Sequence, residues 1–379
     1  MIGLTNGAPL WAGFATIALA LLALHLVSVG LVIWRLRGTP VQLSPPDPPL
    51  VSLLRPVRGL ENHIETTLRS SLTLTYPRSE ELFRVEDADD PVVPLLHRVM
   101  AEHPGTDARL LIGRDAISGN PKLNNLVKGW QAARAEWIVM ADSNLLLPPD
   151  YIQQLQARWL PGSGLVSSPA IGQQGDGFAA ALECAFLNTF QARWQLAADQ
   201  VGLGFAQGKT LFWRRAVLEA GGGMTALGSE MAEDVASTKL VRRQGLRVRV
   251  AQRTFVQPVG RRTFGWVWAR QLRWARIRRF GFPALFLPEV LTGAVAHLLL
   301  GGAALLGLGG PLAALPAFAL LWYGAEWGLA RAAGWPASAQ DVAAGILRDL
   351  LIPVLWLAAW SGRGIVWHGT AVAQPARKD

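Results

Sequence analysis

Trp137-Ile-Val-Met-Ala-Asp-Ser-Asn144 is the stretch from which the rest of the chain can be read. Four apolar residues lead through Ala141 to the carboxylate of Asp142, and Leu145-Leu-Leu147 then resumes the apolar run. This is the pattern of a buried strand ending on a carboxylate. An ionised carboxylate between two apolar runs needs a partner, because burying it alone is costly. A hard divalent cation bridging diphosphate oxygens is one candidate. The other reading is an aspartate that caps the following helix. Asn144 is a second candidate metal ligand, weaker because it offers a carboxamide oxygen.

Outward from this stretch, Val51–Pro56, Leu82–Glu86 and Arg109–Ile112 read as further buried strands. Between the last of them and Trp137, Pro121 to Arg134 reads as a helix with proline in its first turn, where a missing N–H costs nothing. Helix is also expected over Phe178–Ala198 and Met231–Arg243. Alternating strands and helices imply an α/β fold with a mostly parallel sheet covered by helices. Ligands of such sheets bind beyond the carboxyl ends of the strands, where Asp87 and Asp142 fall.

The composition points to a membrane. Hydrophobic residues make up 51% of the 379 and charged residues only 17%, with 16 tryptophans; soluble chains are typically about a quarter charged. Trp11 to Trp34 holds no charge, and 24 helical residues reach about 36 Å, enough to cross a bilayer core. That run is longer than a signal-peptide core and lacks a small-residue cleavage pattern. Arg35 and Arg37 follow it, so the positive-inside rule puts the next domain in the cytoplasm. Val290 to Ala325 is uncharged and breaks at Gly307-Leu-Gly-Gly-Pro311, which reads as a two-helix hairpin. Val342–Trp360 carries Arg348 and Asp349, and reads either as a span with a buried charged pair or as a re-entrant segment. The net charge of +9 does not indicate nucleic acid, because Arg35, Arg37, Arg273, Arg276, Arg278 and Arg279 flank apolar segments, where anionic headgroups are the simpler partner. One cysteine, Cys184, excludes an internal disulfide framework. The expected division is an N-terminal anchor over 1–38, a proline-rich linker over 39–49, a cytoplasmic domain over 50–258, an interfacial region over 259–283 and a C-terminal membrane region over 284–379.

Five further places carry candidate chemistry. Asp87, in Val85-Glu-Asp-Ala-Asp-Asp-Pro91, reads either as part of a solvated acidic turn or as an acceptor for a nucleotide base or ribose. Asp234 follows Glu233 at a helix start, where acidic residues suit the helix dipole; functionally it is placed to act as a general base. Arg270 and Arg273 share one helical face and could clamp a diphosphate as its charge develops, or anchor an interfacial helix together with Trp274. Lys122, in Asn120-Pro-Lys-Leu-Asn-Asn125, is a candidate phosphate contact. Gly204-Phe-Ala-Gln-Gly-Lys209 lacks P-loop spacing and reads as a loop near a donor sugar.

Taken in order, Val51–Gly59, Glu86–Pro91, Asn120–Asn125, Ala141-Asp-Ser143, Gly177–Ala180, Ala232-Glu-Asp234 and Arg270-Gln-Leu-Arg-Trp274 resemble the ceramide glucosyltransferase family of membrane-bound glycosyltransferases. The resemblance implies a GT-A (Rossmann-like, nucleotide-sugar-binding) domain between transmembrane helices. In it Asp87 and Asp142 serve the nucleotide sugar and its Mg2+ or Mn2+, with Lys122 and Arg273 as further contacts to the nucleotide sugar; Asn144, the second metal ligand, departs from the family pattern. Asp234, Arg270, Arg273 and Trp274 then form the catalytic set. The resemblance also implies an inverting transfer of one sugar, glucose from UDP-glucose, to the hydroxyl of a membrane lipid. Bacterial relatives associated with hopanoid lipids make N-acetylglucosamine and a hopanoid the alternative donor sugar and acceptor. A processive polysaccharide synthase and a membrane scaffold with a degenerate transferase domain are the competing readings. The few membrane segments disfavour the first, and the filled site positions disfavour the second.

Overall fold

The computed structural model of the protein describes residues 8–38, 47–362, 365–367 and 370–372. Most of the expected linker (39–46) and the basic residues Arg363, Arg377 and Lys378 lie outside the described residues. The chain opens with helix α1 (Ala8–Arg37). The first half of the α/β domain follows as β1 (Val51–Val57), α2 (Ile64–Ser71), β2 (Ser79–Val85), α3 (Val93–Ala101), β3 (Ala108–Ile112), α4 (Pro121–Ala132) and β4 (Trp137–Ala141). Next come α5 (Tyr151–Gln156), β5 (Ser163–Ser167), β6 (Ala170–Asp176), α6 (Phe178–Ala185), a π-helical stretch (Phe186–Ala192) and α7 (Arg193–Gln200). The domain closes with β7 (Thr210–Arg214), α8 (Arg215–Ala220), α9 (Gly223–Leu227), α10 (Glu233–Arg243), β8 (Arg247–Val250) and β9 (Phe255–Arg261). Beyond it run α11 (Phe264–Gly281), α12 (Pro283–Phe286), α13 (Ala294–Leu308), α14 (Ala314–Ala333), α15 (Ala339–Trp360) and the small pair β10 (Ile365–Trp367) and β11 (Thr370–Val372).

Seven strands form one sheet in the order β3-β2-β1-β4-β7-β5-β8. β3, β2, β1 and β4 are parallel, as the four apolar runs imply. β7 is antiparallel to both β4 and β5, and β8 is parallel to β5. The chain builds from β1 outward to β3, then returns to β4 on the other side of β1. That reversal opens a crevice at the carboxyl ends of β1 and β4, where doubly wound sheets hold ligands. β6 and β9 pair in a separate two-stranded sheet. β9 runs on to Arg261, so the expected domain boundary at 258 falls inside a strand.

The core has two layers. Leu54, Leu82, Ile138, Met140, Leu211 and Trp213 face α4 and α10, and Val51, Leu53, Val139, Phe212 and Phe255 pack with α5 on the other side. A further cluster joins Val29 and Val32 of α1 to Ile171, Leu196, Val250 and Leu329. The N-terminal helix is thus packed onto the α/β domain.

Arg35 corrects the headgroup assignment made above. It is buried, donating to Asp199 Oδ2 at 2.7 Å and to the carbonyls of Val250 and Ala251. Its charge ties the end of α1 to the strand beside it. Arg278 likewise pairs with Glu289.

Among the described residues, two helices are long and apolar enough to cross a membrane, α1 and α15; a third is added if α13 and the turn before it, bent by 54°, count as one span. The break expected near Gly307–Pro311 is present between α13 and α14. α13 alone, with 15 residues, reaches only about 22 Å, short of a bilayer core. The segment expected at 342–360 is one continuous helix. Its Arg348 and Asp349 are buried, and Arg348 bonds Glu326 of α14 and Thr189 of the π-helical stretch. Paired charges of this kind are what apolar surroundings tolerate.

Candidate active site

Asp142 lies just past β4, and its loop is held from beneath by Arg55 of β1. The Arg55 guanidinium is fully buried and donates to the carbonyls of Asp142, Ser143 and Leu145 at 2.8–2.9 Å, and to Ser71 Oγ at 2.6 Å. Few side chains can satisfy so many buried acceptors at once; Arg presents five donors in a fixed fork. The loop that carries the carboxylate is thus tied to β1 at three carbonyls.

Asp142 does have partners, but they are lysines. Lys122 Nζ lies 2.6 Å from Oδ1 and Lys209 Nζ 2.9 Å from Oδ2. Burial alone would push the Asp142 carboxyl upward, but the two ammonium groups hold it well below the usual carboxylate range. Lys122 stands in the first turn of α4, where the Asn120 side chain caps the helix by accepting from Lys122 N and Leu123 N. Its ammonium also meets Glu233 Oε1 at 2.7 Å and the Gly208 carbonyl at 2.5 Å. Lys209 additionally donates to Asn144 Oδ1 at 2.8 Å. Burial pushes its pKa down; Asp142 opposes the shift and nearby Arg270 reinforces it.

Asp234 is the second residue of α10, after Glu233, at a helix start as expected. Its Oδ2 accepts from Gly208 N at 2.9 Å and its Oδ1 from Val235 N at 2.8 Å. Burial, then the adjacent Glu233 carboxylate, raises its pKa to about 6, against the pull of Lys122. A carboxyl poised near neutrality suits a general base.

Gly208 is the hinge of this cluster. A Cβ there would stand 2.7 Å from Glu233 Oε1 and 3.2 Å from Lys122 Nζ, so a side chain at 208 would push these two charged groups from their present positions. Gly208→Ala is expected to displace Glu233 and Lys122 and to lower turnover by about tenfold to a hundredfold, since small misplacements at a site are costly. Steady-state kinetics on the purified variant, with circular dichroism as a folding control, checks this.

The arginine helix reaches the cluster from the other side. Arg270 is buried, ion-paired with Glu183 of α6, 3.4 Å from Gln257 Oε1 and stacked on Trp274 at 4.3 Å. Arg273, one turn on, has its pKa lowered to about 10 by burial and then by Arg270, with Glu183 and Glu61 opposing. Glu61 also approaches Asn144 Nδ2 at 3.4 Å, so the Arg273 end of this helix face is linked to the Asp142 loop. Trp274 packs against Ala180, Cys184, Leu187 and Val259. Cys184 is buried in that cluster, as a small apolar side chain would be.

Asp87 stands apart. It is exposed after β2, two strands from β4, or about 10 Å across the sheet, and its carbonyl accepts from Asp90 N. The organiser of that turn is Asp90, which accepts from Gly59 N at 3.0 Å and Val92 N at 2.9 Å. The structure thus gathers Lys122, Asp142, Asn144 and Asp234 in one network, flanks it with Arg270, Arg273 and Trp274, and leaves Asp87 on the same sheet edge. Sequence reading missed Lys209 and Glu233 as partners and Arg55 as the support. The signal available for Arg55 and Lys209 was a charged residue inside or beside an apolar strand, and for Glu233 a second carboxylate at the start of a helix.

The sequence model of glycosyl transferase family 21 matches residues 16–374. Ceramide glucosyltransferase 1 of Caenorhabditis elegans is 27% identical over 309 residues, covering 79% of this chain and 66% of the relative. The ceramide glucosyltransferase of Candida albicans is 34% identical over 107 residues, covering 25% of this chain and 20% of that one. The matches thus span about two thirds or less of these curated relatives. Among solved structures, a mannosyltransferase from Pyrobaculum calidifontis, in complex with GDP-Man and Mn2+, aligns with a TM-score of 0.52 at 21% identity, covering 89% of this chain and 99% of that one. That likeness is one of fold, the GT-A arrangement of a mostly parallel sheet.

Proposed function

The chain belongs to glycosyl transferase family 21, the ceramide glucosyltransferase family, and on that footing we propose that it moves one sugar from a UDP-sugar to the hydroxyl of a membrane lipid, with inversion at the anomeric carbon. The observation that carries the reading is the Asp234–Gly208–Lys122–Asp142 network at the switch point of the sheet, flanked by the arginine face of α11. In the proposed reaction the lipid hydroxyl attacks the anomeric carbon as Asp234 takes its proton. The bond from that carbon to the diphosphate breaks, and UDP leaves with the electron pair. Lys122, Lys209, Arg270 and Arg273 stabilise the charge developing on the diphosphate. Trp274 holds Arg270 in place by stacking, and Asp87, on the same edge, is positioned for the base or ribose. Glucose is the proposed sugar and ceramide the proposed acceptor, with the catalytic face toward the cytoplasm.

The residues present fit a divalent cation under one condition. Asp142 and Asn144 offer oxygen ligands suited to Mg2+ or Mn2+, which are commonly held by one or two carboxylates plus substrate phosphates. Yet two ammonium groups already face the three carboxyls of Asp142, Glu233 and Asp234, so little negative charge remains to attract a metal. A nucleoside diphosphate restores that charge. The cation, when bound beside Asp142 and Asn144, would neutralise the diphosphate. Calorimetry is therefore expected to find weak Mg2+ or Mn2+ binding to the protein alone and at least about tenfold tighter binding with UDP present; equal affinities would refute the charge argument.

The direct test is mass spectrometry of the detergent-purified chain incubated with UDP-glucose or UDP-N-acetylglucosamine and ceramide, a hopanoid or a polysaccharide primer. A single hexose on ceramide supports the proposal. A long polymer, or no sugar on any lipid, defeats it.

A further inference from the structure

Between α6 with its π-helical continuation, α11 and α15 lies a cavity of about 230 Å³ with a hydrocarbon lining. Phe186 closes one side, Val267, Trp268 and Gln271 of α11 form the second, and Leu351 and Leu355 of α15 form the third. α15 has two faces. Ile346, Leu350, Val354 and Leu357 are exposed, as on a helix meeting lipid, whereas Leu347, Leu351 and Leu355, spaced four apart, turn inward to the cavity. The cavity is therefore bounded by a helix long and apolar enough to cross a membrane.

Its other wall leads to the chemistry. Gln271 is the neighbour of Arg270, and its amide donates to Glu183 Oε2 at 3.3 Å, on the carboxylate that pairs with Arg270. Its carbonyl accepts from Gln191 at 3.1 Å. One turn of α11 thus passes from hydrocarbon to guanidinium.

We propose that this slot holds one linear hydrocarbon chain of the acceptor lipid, with the lipid's first polar group beside Gln271 and its hydroxyl directed past Arg270 toward the base. The proposal rests on the glycosyltransfer reading and deepens it. A chain enters from the bilayer along the inward leucines of α15, exchanging lipid neighbours for protein ones. The polar end is then fixed by the Gln271–Glu183–Arg270 turn rather than by the membrane surface. Acceptor choice follows from the shape of the slot as well as from headgroup chemistry.

The probe is a long-chain alcohol carrying a mid-chain diazirine, photolysed with the full-length chain in detergent and mapped by peptide mass spectrometry. Labels are expected to concentrate on the peptides holding Leu182–Phe186, Val267–Gln271 and Leu347–Leu355. Leu351→Trp, which fills the slot, lowers labelling there about tenfold, while Leu351→Ala, which widens it, raises labelling and moves the preference toward longer chains. UDP binding stays unchanged in both variants, which guards against misfolding. Labels spread evenly over the exposed faces of α1 and α15, or labelling indifferent to both substitutions, would overturn the slot. Slot-specific labelling with no sugar transferred to any lipid leaves the slot standing and refutes the glycosyltransfer reading; transfer to ceramide without slot labelling does the reverse.

Discussion

Asp234→Asn is expected to lower turnover by about a hundredfold to ten-thousandfold, the range typical of losing a general base, while UDP-sugar binding stays within about threefold. The amide still accepts from Gly208 N, so the contact that places residue 234 survives; only its capacity to take a proton is lost. The pH profile gives an independent reading. Asp234 works ionised, and its pKa is raised to about 6 by burial and by Glu233. Activity should rise with pH through about 6 and be about tenfold below its plateau one unit lower. Glu233→Gln removes the neighbouring negative charge, so the midpoint should move to lower pH even if the plateau also falls. Single-turnover kinetics between pH 4.5 and 8 tests both statements. An Asn variant with near-normal turnover, or a Gln variant whose midpoint rises, would remove Asp234 from the role of base.

The fold was legible where a strand is a continuous apolar run, even for β3, which was expected to be buried but lies at the sheet edge and is only partly buried. β1 to β4 announced themselves as apolar runs, and two of them end near the carboxylates of Asp87 and Asp142. β6 did not, because Ala170-Ile-Gly-Gln-Gln-Gly-Asp176 has little apolar content and takes its partner, β9, from far along the chain. β7 carries a short apolar run, but nothing local states that it runs antiparallel to β4. The site divides along the same line. Asp142, Asp234 and the arginine helix could be found because each interrupts a pattern. Asp142's need for a partner was also legible, but which cation answers it was not: Lys209 is 67 positions away, at the end of a loop read as lying near a donor sugar with no role given to its lysine. Arg35 shows the opposite error. A basic residue after an apolar helix reads as a headgroup anchor, and only the packing of α1 against β8 and α7 reveals that it is buried on Asp199.

Asp142→Asn should separate the two roles that its carboxylate now combines. The side chain is 22% exposed, with Lys122 at 12% and Lys209 at 9%, so the pairs are partly screened and their loss should destabilise the fold by only about 1–3 kcal/mol. Lys122 keeps Glu233 and the Gly208 carbonyl. Lys209 keeps the Asn144 carboxamide but loses its carboxylate, and is left as an undercompensated cation facing the crevice. UDP alone should then bind as well as or better than before, because one negative charge has gone. Added Mg2+ or Mn2+ should no longer tighten that binding. Turnover should still fall by about a hundredfold to a thousandfold, the scale of losing one electrostatic contributor to a developing negative charge. Calorimetry with and without metal, alongside kcat, reads the three effects separately. A variant that keeps metal-enhanced UDP binding would show that Asp142 serves the lysines alone; one that loses UDP binding outright would show that the crevice depends on the Asp142 carboxylate for its shape rather than for its charge.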